Sequence, residues 1–435
     1  MTDDDRAATG PGREPAAGAR RVDLEDDARK PGGQAPAADG PAGAGPAADE
    51  PSTVKSWLAV IAVAVGIFSL MTSELLPVGL LTPVGDDLGV SEGTAGLMVT
   101  VPGLVAAIAA PLVTVAAGRI DRRVVLALLI GMMGAANLAC AVAQDFVVVL
   151  AARLLVGISV GGFWAIAGGL ALRLVPERHV PRAMAVIFGG VSTASVLGVP
   201  AGTAIGDWDG WRTAFAAVGI LGLAALACIV FLVPALPPGR TLNLRDLPAV
   251  FRGNEGVRLG IVITFLVITG HFLAYTFIRP ILEDVSGFGS NAIGTLLLVY
   301  GTAGVVGNVL ASTRAARHLR GTVLTIALTL TAAMALVPLL GENRIGGGAL
   351  LVVWGLAYGG VSVTLQTWML QAAPDATEAA TGLFVATFNL SIALGALLGG
   401  VAVNALATSS VLWIGAVMLL LTTVAVRASG RVRLA

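Results

Sequence analysis

From Trp57 to the C-terminus the chain repeats one pattern: an apolar run of roughly 20 residues, the length a helix needs to cross a bilayer, closed by a short polar break. The runs fall at about 57–80, 94–116, 124–143, 147–172, 183–205, 212–233, 258–281, 292–313, 321–340, 346–371, 379–402 and 409–427. They predict an all-α membrane protein with twelve transmembrane helices in a lipid bilayer. Hydrophobic residues make up 56% of the chain and charged residues 12%, which excludes the soluble globular class. Lysine is confined to Lys30 and Lys55, so the apolar region holds no Gly-x4-Gly-Lys phosphate loop and ATP hydrolysis by that route is excluded. Uphill work must then draw on an ion gradient or a separate subunit. Cys140 and Cys228 sit inside apolar runs with no Cys/His spacing, so neither a metal nor a disulfide is expected. With no metal-ligand cluster, nucleophile triad or phosphate loop, the sequence predicts no enzyme, no cofactor and no nucleic-acid partner.

The apolar region is built twice. A shift of 198 positions carries Gly157, Gly161, Gly162, Pro176 and Gly202 onto Gly355, Gly359, Gly360, Pro374 and Gly400. A shift of 197 carries Phe68, Glu74, Pro83, Asp86 and Asp87 onto Phe265, His271, Pro280, Glu283 and Asp284. These registers predict two pseudo-symmetric six-helix halves, 53–235 and 258–435, as in many transporter folds. Between them, residues 236–257 carry Leu242, Leu244, Leu247, Val250 and Phe251 among Arg245 and Arg252, the pattern of a short helix on the membrane surface. Residues 1–52 have almost no large apolar side chains and are expected to be a disordered tail. Arg20-Arg21 is followed by Asp23, Glu25, Asp26 and Asp27 instead of an apolar stretch, so a twin-arginine signal is not the reading.

Arginine sets the orientation. Arg119, Arg122 and Arg123 follow segment 2, and Arg173, Arg178 and Arg182 follow segment 4. Arg240, Arg245 and Arg252 lie between segments 6 and 7, Arg314, Arg317 and Arg320 follow segment 8, and Arg427, Arg431 and Arg433 end the chain. The alternate loops are acidic, with Asp86, Asp87, Glu92, Asp145, Asp207, Asp209, Glu283, Asp284 and Glu342. Both termini are therefore expected in the cytoplasm.

Several stretches carry a family resemblance. Arg153-x3-Gly157-x3-Gly161 on segment 4 and Gly210-Trp211-Arg212-x2-Phe215 at the 5–6 corner resemble the major facilitator superfamily. Asn389-Leu-Ser391-Ile-Ala-Leu-Gly395 through Gly399-Gly400 is similar to segment 11 of its bacterial drug:H+ antiporter-1 family. Within that family, Glu74-Leu-Leu-Pro77, Gly161-Gly-Phe-Trp164, Arg173-Leu-Val-Pro176 and Tyr275-x2-Ile278-Arg279-Pro280 resemble the purine ribonucleoside efflux permeases. Two motifs depart from the pattern. The loop through Asp121, Arg122 and Arg123 is a shortened form of the superfamily's gating loop, and Gly198-x-Pro200-x-Gly202 stands where the antiporters have an adjacent Gly-Pro. The resemblance implies an inner-membrane, multi-pass, monomeric antiporter that exports a small organic molecule against protons, with purine ribonucleosides leading the substrate classes. Antibiotic, multidrug or sugar efflux stays open beside it, as does a gradient-insensitive facilitator or membrane sensor.

Three residues are candidates for proton coupling. Glu74 lies near the middle of segment 1, where an ionised carboxylate needs a wet cavity or a partner. Arg153 stays charged, and is read either as a switch partner for Glu74 or as a structural arginine on backbone carbonyls. His271 occupies the position equivalent to Glu74 and is read as a proton carrier, a substrate contact or a hydrogen-bonding core residue. For a substrate cavity, Phe163, Trp164, Phe272, Tyr275 and Tyr358 offer flat apolar faces and Asn137, Gln366 and Asn389 offer polar contacts. Gly157 and Gly161 form a small-x3-small row for close helix packing, and Gly198, Pro200 and Gly202 are expected to bend segment 5.

Overall fold

A computed structural model describes residues 53–116, 120–167, 170–176, 179–237, 246–341 and 343–428. The expected tail, Leu242, Leu244 and Arg245 of the connecting segment, and Arg119, Arg178, Arg240, Glu342, Arg431 and Arg433 lie outside the described residues. Of the connection, Asp246–Gly253 is helical, as its alternation predicts.

Among the described residues every regular element is helical, and eleven helices are long and apolar enough to cross a membrane. They are α1 (Val54–Leu88), α2 (Glu92–Ala110), α3 (Arg122–Ala141), α4 (Phe146–Trp164), α5 (Arg182–Asp209), α6 (Trp211–Leu232), α7 (Glu255–Tyr275), α8 (Ser290–Leu340), α9 (Arg344–Ala372), α10 (Ala379–Ala405) and α11 (Ser410–Ala428). The expected segments at 292–313 and 321–340 are joined in α8, whose 51 residues are interrupted by non-helical backbone at His318 (φ −142°, ψ 65°). An unbroken helix of that size would measure roughly 75 Å, more than twice the thickness of a hydrocarbon core.

α1 runs on to Leu88, past the expected end near residue 80, through Pro77 and Pro83. A proline has no N–H, so it leaves the carbonyl four residues earlier without its helical partner. Those carbonyls belong to Ser73 and Gly79. Arg153 Nη1 donates to Ser73 O at 2.9 Å, and Arg279 Nη1 donates to Gly79 O at 2.8 Å. Pro102 in α2 frees Met98 O in the same way, and that carbonyl accepts from Arg153 Nε at 3.0 Å. Membrane helices tolerate proline where neighbours satisfy the freed groups. Here two buried arginines do so, which is why both helices continue.

In α5, Pro200 follows a change of helix type. A π-helical turn at Ala194–Gly198 precedes the helix Val199–Asp209 that contains Pro200, so the extra residue in the turn accommodates the ring.

Glycine sets how the helices meet, and the meetings recur. A Cβ on Gly157 or Gly161 would strike the Pro102 and Ala106 carbonyls of α2, while one on Gly355 or Gly359 would strike the Tyr300 and Gly304 carbonyls of α8. The first two pairs recur as the last two at the 198-residue shift seen in the sequence. Likewise Gly198 and Gly202 of α5 close on Thr72 and Leu76 of α1, and Gly395 and Gly399 of α10 close on Thr269 and Leu273 of α7. Two crossings join residues far apart in the chain. Gly93 and Gly103 of α2 face Gly400 and Asn389 of α10, and Gly294 and Gly301 of α8 face Pro200 and Ser195 of α5. The core follows this division. One apolar cluster draws almost wholly on residues before Val257, and a second on residues after it, with Val78, Val99 and Val199 added from the earlier helices.

Candidate functional site

The site is built around Ser73 and Glu74 on α1. Arg153, fully buried on α4, donates to the Ser73 and Met98 carbonyls and also to Glu74 O at 3.2 Å. Asn137 on α3, also fully buried, donates from Nδ2 to Ser73 Oγ at 2.7 Å and to Met133 O at 2.8 Å. Its Oδ1 has no partner among the described residues. The backbone at 73–74 is thus held by side chains from α3 and α4. Glu74 is 7% exposed as a residue, and its carboxyl carries no protein hydrogen bond among the described residues.

Arg153 was read either as a switch partner for Glu74 or as a structural arginine on carbonyls, and in this arrangement no carboxylate lies within ion-pair distance of it among the described residues. The guanidinium is occupied by carbonyls, two of them left open by prolines, which is the structural alternative. Glu74 remains the only described acid in the interior of a membrane helix, since Asp86, Asp87, Glu92, Asp207, Asp209 and Glu255 all sit at helix ends.

Opposite Glu74 stands an aromatic cluster from α7, α8 and α9. The His271 ring stacks on Tyr358 with centroids 3.5 Å apart and planes 7° apart, and on Tyr275 at 5.0 Å and 21°. Phe272 and Trp354 meet it edge-on at 5.1 and 5.8 Å, and Tyr300 stacks on Tyr275 at 5.0 Å. Trp354 Nε1–H donates to His271 Nδ1 at 3.1 Å. All three tyrosines of the chain belong to this cluster. Tyr358 lies within electrostatic reach of Glu74, so the cluster and the carboxyl share one region.

Phe272, Tyr275 and Tyr358, expected in a cavity, and His271, read as a proton carrier, a substrate contact or a core residue, come together in the structure, joined by Trp354 and Tyr300, which the sequence reading omits. Trp354 lies one helical turn before Tyr358, and the i, i+4 spacing of two aromatics was the available signal. The remaining candidates are elsewhere. Phe163 is fully buried in the earlier apolar cluster, and half-buried Trp164 stacks on Phe188 at 6.0 Å. Gln366 is half-buried on α9, and Asn389 at the α2–α10 crossing donates to Val385 O at 2.9 Å. Asp121 caps α3, accepting from Arg123 N at 2.8 Å and Leu236 N at 3.0 Å, while the Arg123 guanidinium donates to Val230 O. Buried Arg122 joins through its backbone N–H to Leu236 O at 2.9 Å. The loop motif therefore fastens the start of α3 to the end of α6.

At the arginine-poor end, a residue absent from the candidates joins distant parts of the chain. Arg279 pairs with Asp207 of α5 at 2.9 Å, with both side chains buried, and with Glu283 at 3.2 Å, besides its bond to Gly79 O. Burial pushes Glu283 above the ordinary carboxylate value, and the Arg279 guanidinium opposes that rise.

A bundle with repeated helix contacts, an acid inside a membrane helix and a facing aromatic cluster has the form of a membrane transporter. Residues 62–395 match the Major Facilitator Superfamily, and the chain belongs to that family. It is 34% identical over 383 residues to the purine ribonucleoside efflux pump NepI of Escherichia coli (strain K12), covering 88% of this chain and 96% of that one. The NepI pump of Salmonella paratyphi A is 34% identical over 379 residues, covering 87% and 95%. Among solved structures, the nucleoside transporter NupG superposes with a TM-score of 0.71 at 12% identity, over 86% of this chain and 100% of that one. A bacterial homolog of the lysosomal transporter Spinster, inward-facing and occupied, gives 0.68 at 14% identity over 87% and 97%. The chain is a multi-pass membrane transporter of small molecules and not an enzyme.

Proposed function

We propose that this protein is a proton-coupled antiporter of the inner membrane, exporting purine ribonucleosides by alternating access. In this reading α8 crosses twice, giving twelve crossings with both termini cytoplasmic, and a monomer contains halves 53–235 and 258–435. The helix contacts that repeat at the two sequence shifts support the two halves. The substrate class is carried over from the efflux pumps to which the chain is similar.

One observation carries the coupling: Glu74 is the single described acid inside a membrane helix, and its carboxyl is left without a protein hydrogen bond while its neighbour Arg153 is engaged by carbonyls. A carboxyl in such a place is a functional group by default, because an idle charge there is costly. The test uses purified protein in liposomes under an imposed pH gradient, with labelled inosine and with Glu74→Gln beside the wild type. Accumulation against the concentration gradient in wild type alone, with counterflow retained in Glu74→Gln, is the expected result. Full gradient-driven uptake in the variant would overturn the coupling role, and no inosine movement in wild type would overturn the substrate.

A further inference from the structure

Trp354 fixes the state of His271. An indole N–H can only donate, so the Nδ1 it reaches at 3.1 Å must present a lone pair. In the neutral ring the proton then sits on Nε2, and a doubly protonated imidazolium would set two N–H groups against each other. Tyr358 and Tyr275, stacked on the ring, and Phe272 against its edge hold the plane in place. Tyr300 backs Tyr275, and Glu74 is the one charged side chain facing the cluster from α1.

The consequence is a buried donor with nothing to bind. His271 is fully buried, and its Nε2 has no hydrogen-bond partner among the described residues; Thr269 Oγ1 on the same helix and Tyr300 Oη are likewise unmatched. A buried polar group left open is expensive, and native proteins rarely leave one without a use. Rings around it supply stacking faces, and an N–H within an aromatic cluster recognises a flat heterocycle carrying a ring nitrogen or carbonyl oxygen.

Resting on the proposed nucleoside transport, we propose that His271 is a specificity-determining donor, locked by Trp354 in its Nε2–H form, that reads a hydrogen-bond acceptor on a planar heteroaromatic ligand. This assigns to His271 a different task from the acid at the equivalent position in the first half. Glu74 carries the proton, and His271 keeps its own.

Two measurements on one preparation test this. Nitrogen-15 spectra of histidine-labelled protein distinguish the two neutral tautomers and the cation, and His271→Gln identifies the His271 signals against those of His179 and His318. The Nε2–H form should persist from mildly acid to mildly alkaline pH, and Trp354→Phe should release it. An Nδ1–H form, or protonation near neutrality in wild type, overturns the proposal whether or not any nucleoside is transported. For recognition, uptake of inosine is compared with its 7-deaza and 3-deaza analogues and with the purine riboside lacking the 6-oxygen. Removal of the acceptor that His271 reads should cost wild type about tenfold, the equivalent of ~1.4 kcal/mol. That loss should vanish in His271→Phe and survive in His271→Gln, which keeps an N–H. Equal losses in wild type and His271→Phe for every analogue would overturn the recognition role. If wild type moves none of these compounds, the nucleoside reading fails separately, and the spectra still decide the lock.

Discussion

Removing Asp207 should open the arginine-poor end of the bundle. Arg279 and Asp207 are 5% and 9% exposed, and their 2.9 Å contact joins α5 to the turn after α7. Deleting one partner of a buried ion pair costs about 3–5 kcal/mol, chiefly because the other charge is stranded. In Asp207→Ala, Arg279 keeps Glu283 at 3.2 Å and the Gly79 carbonyl at 2.8 Å, which argues for the lower end, ~3 kcal/mol. Since each 1.4 kcal/mol is tenfold, the open population should rise by roughly 100-fold. Ala204 reports on it, because its Cβ would lie 3.6 Å from one on Gly294 across the α5–α8 crossing. With Cys140 and Cys228 replaced by serine, Ala204→Cys gives a single thiol whose maleimide labelling tracks opening. Labelling should accelerate in Asp207→Ala and return toward wild type when Arg279→Met is added, since no guanidinium is then stranded and Glu283, which also loses its partner, is 21% exposed to water. Unchanged labelling in a folded Asp207→Ala protein would refute the latch. Equal acceleration in the double variant would show that something other than the stranded charge opens the end.

Arg153→Lys should lower thermal stability in detergent by about 1–3 kcal/mol, because one ammonium cannot replace a planar fork that reaches carbonyls on two helices. Gly359→Val should cost about 1–3 kcal/mol by forcing α9 away from the Gly304 carbonyl, read as a lower melting midpoint. Asp87→Ala should change stability by less than about 1 kcal/mol, although Asp87 pairs with Arg212, since those side chains are 45% and 39% exposed. A large loss there would mean that the 5–6 corner is less solvated than it looks.

Helices were legible because the apolar runs are long and the bilayer fixes their length. The glycine rows were legible too, since Gly157, Gly161, Gly355 and Gly359 mark the same packing from the sequence side. What the runs concealed was continuity: α1 passes two prolines and α8 joins two segments across His318. Proline alone argues for a break, and the arginines that remove the penalty lie 80 and 200 positions away from the carbonyls they satisfy. Neighbouring residues carry no trace of such a pairing. The aromatic cluster was half visible for a similar reason, because Tyr300 reaches Tyr275 only through helix packing.

Under the proposed alternating access, the two arginines separate what stays fixed from what moves. Arg153 joins α4 to α1 and α2, all within 53–235, so a rigid-body rocking of the proposed halves would leave its three bonds intact. Arg279 joins the turn after α7 to α1 and α5, and the same motion would break its bonds to Gly79 and Asp207. When it does, the Gly79 carbonyl freed by Pro83 loses its partner at the end of the helix that carries Glu74. Opening therefore exposes to water a backbone group that closure had satisfied, and water can take the place of Arg279 there at little cost. The Ser73 carbonyl, beside Glu74, keeps its bond to Arg153 throughout, so the backbone that carries the carboxyl holds its place while the end of the helix is alternately bonded and wet.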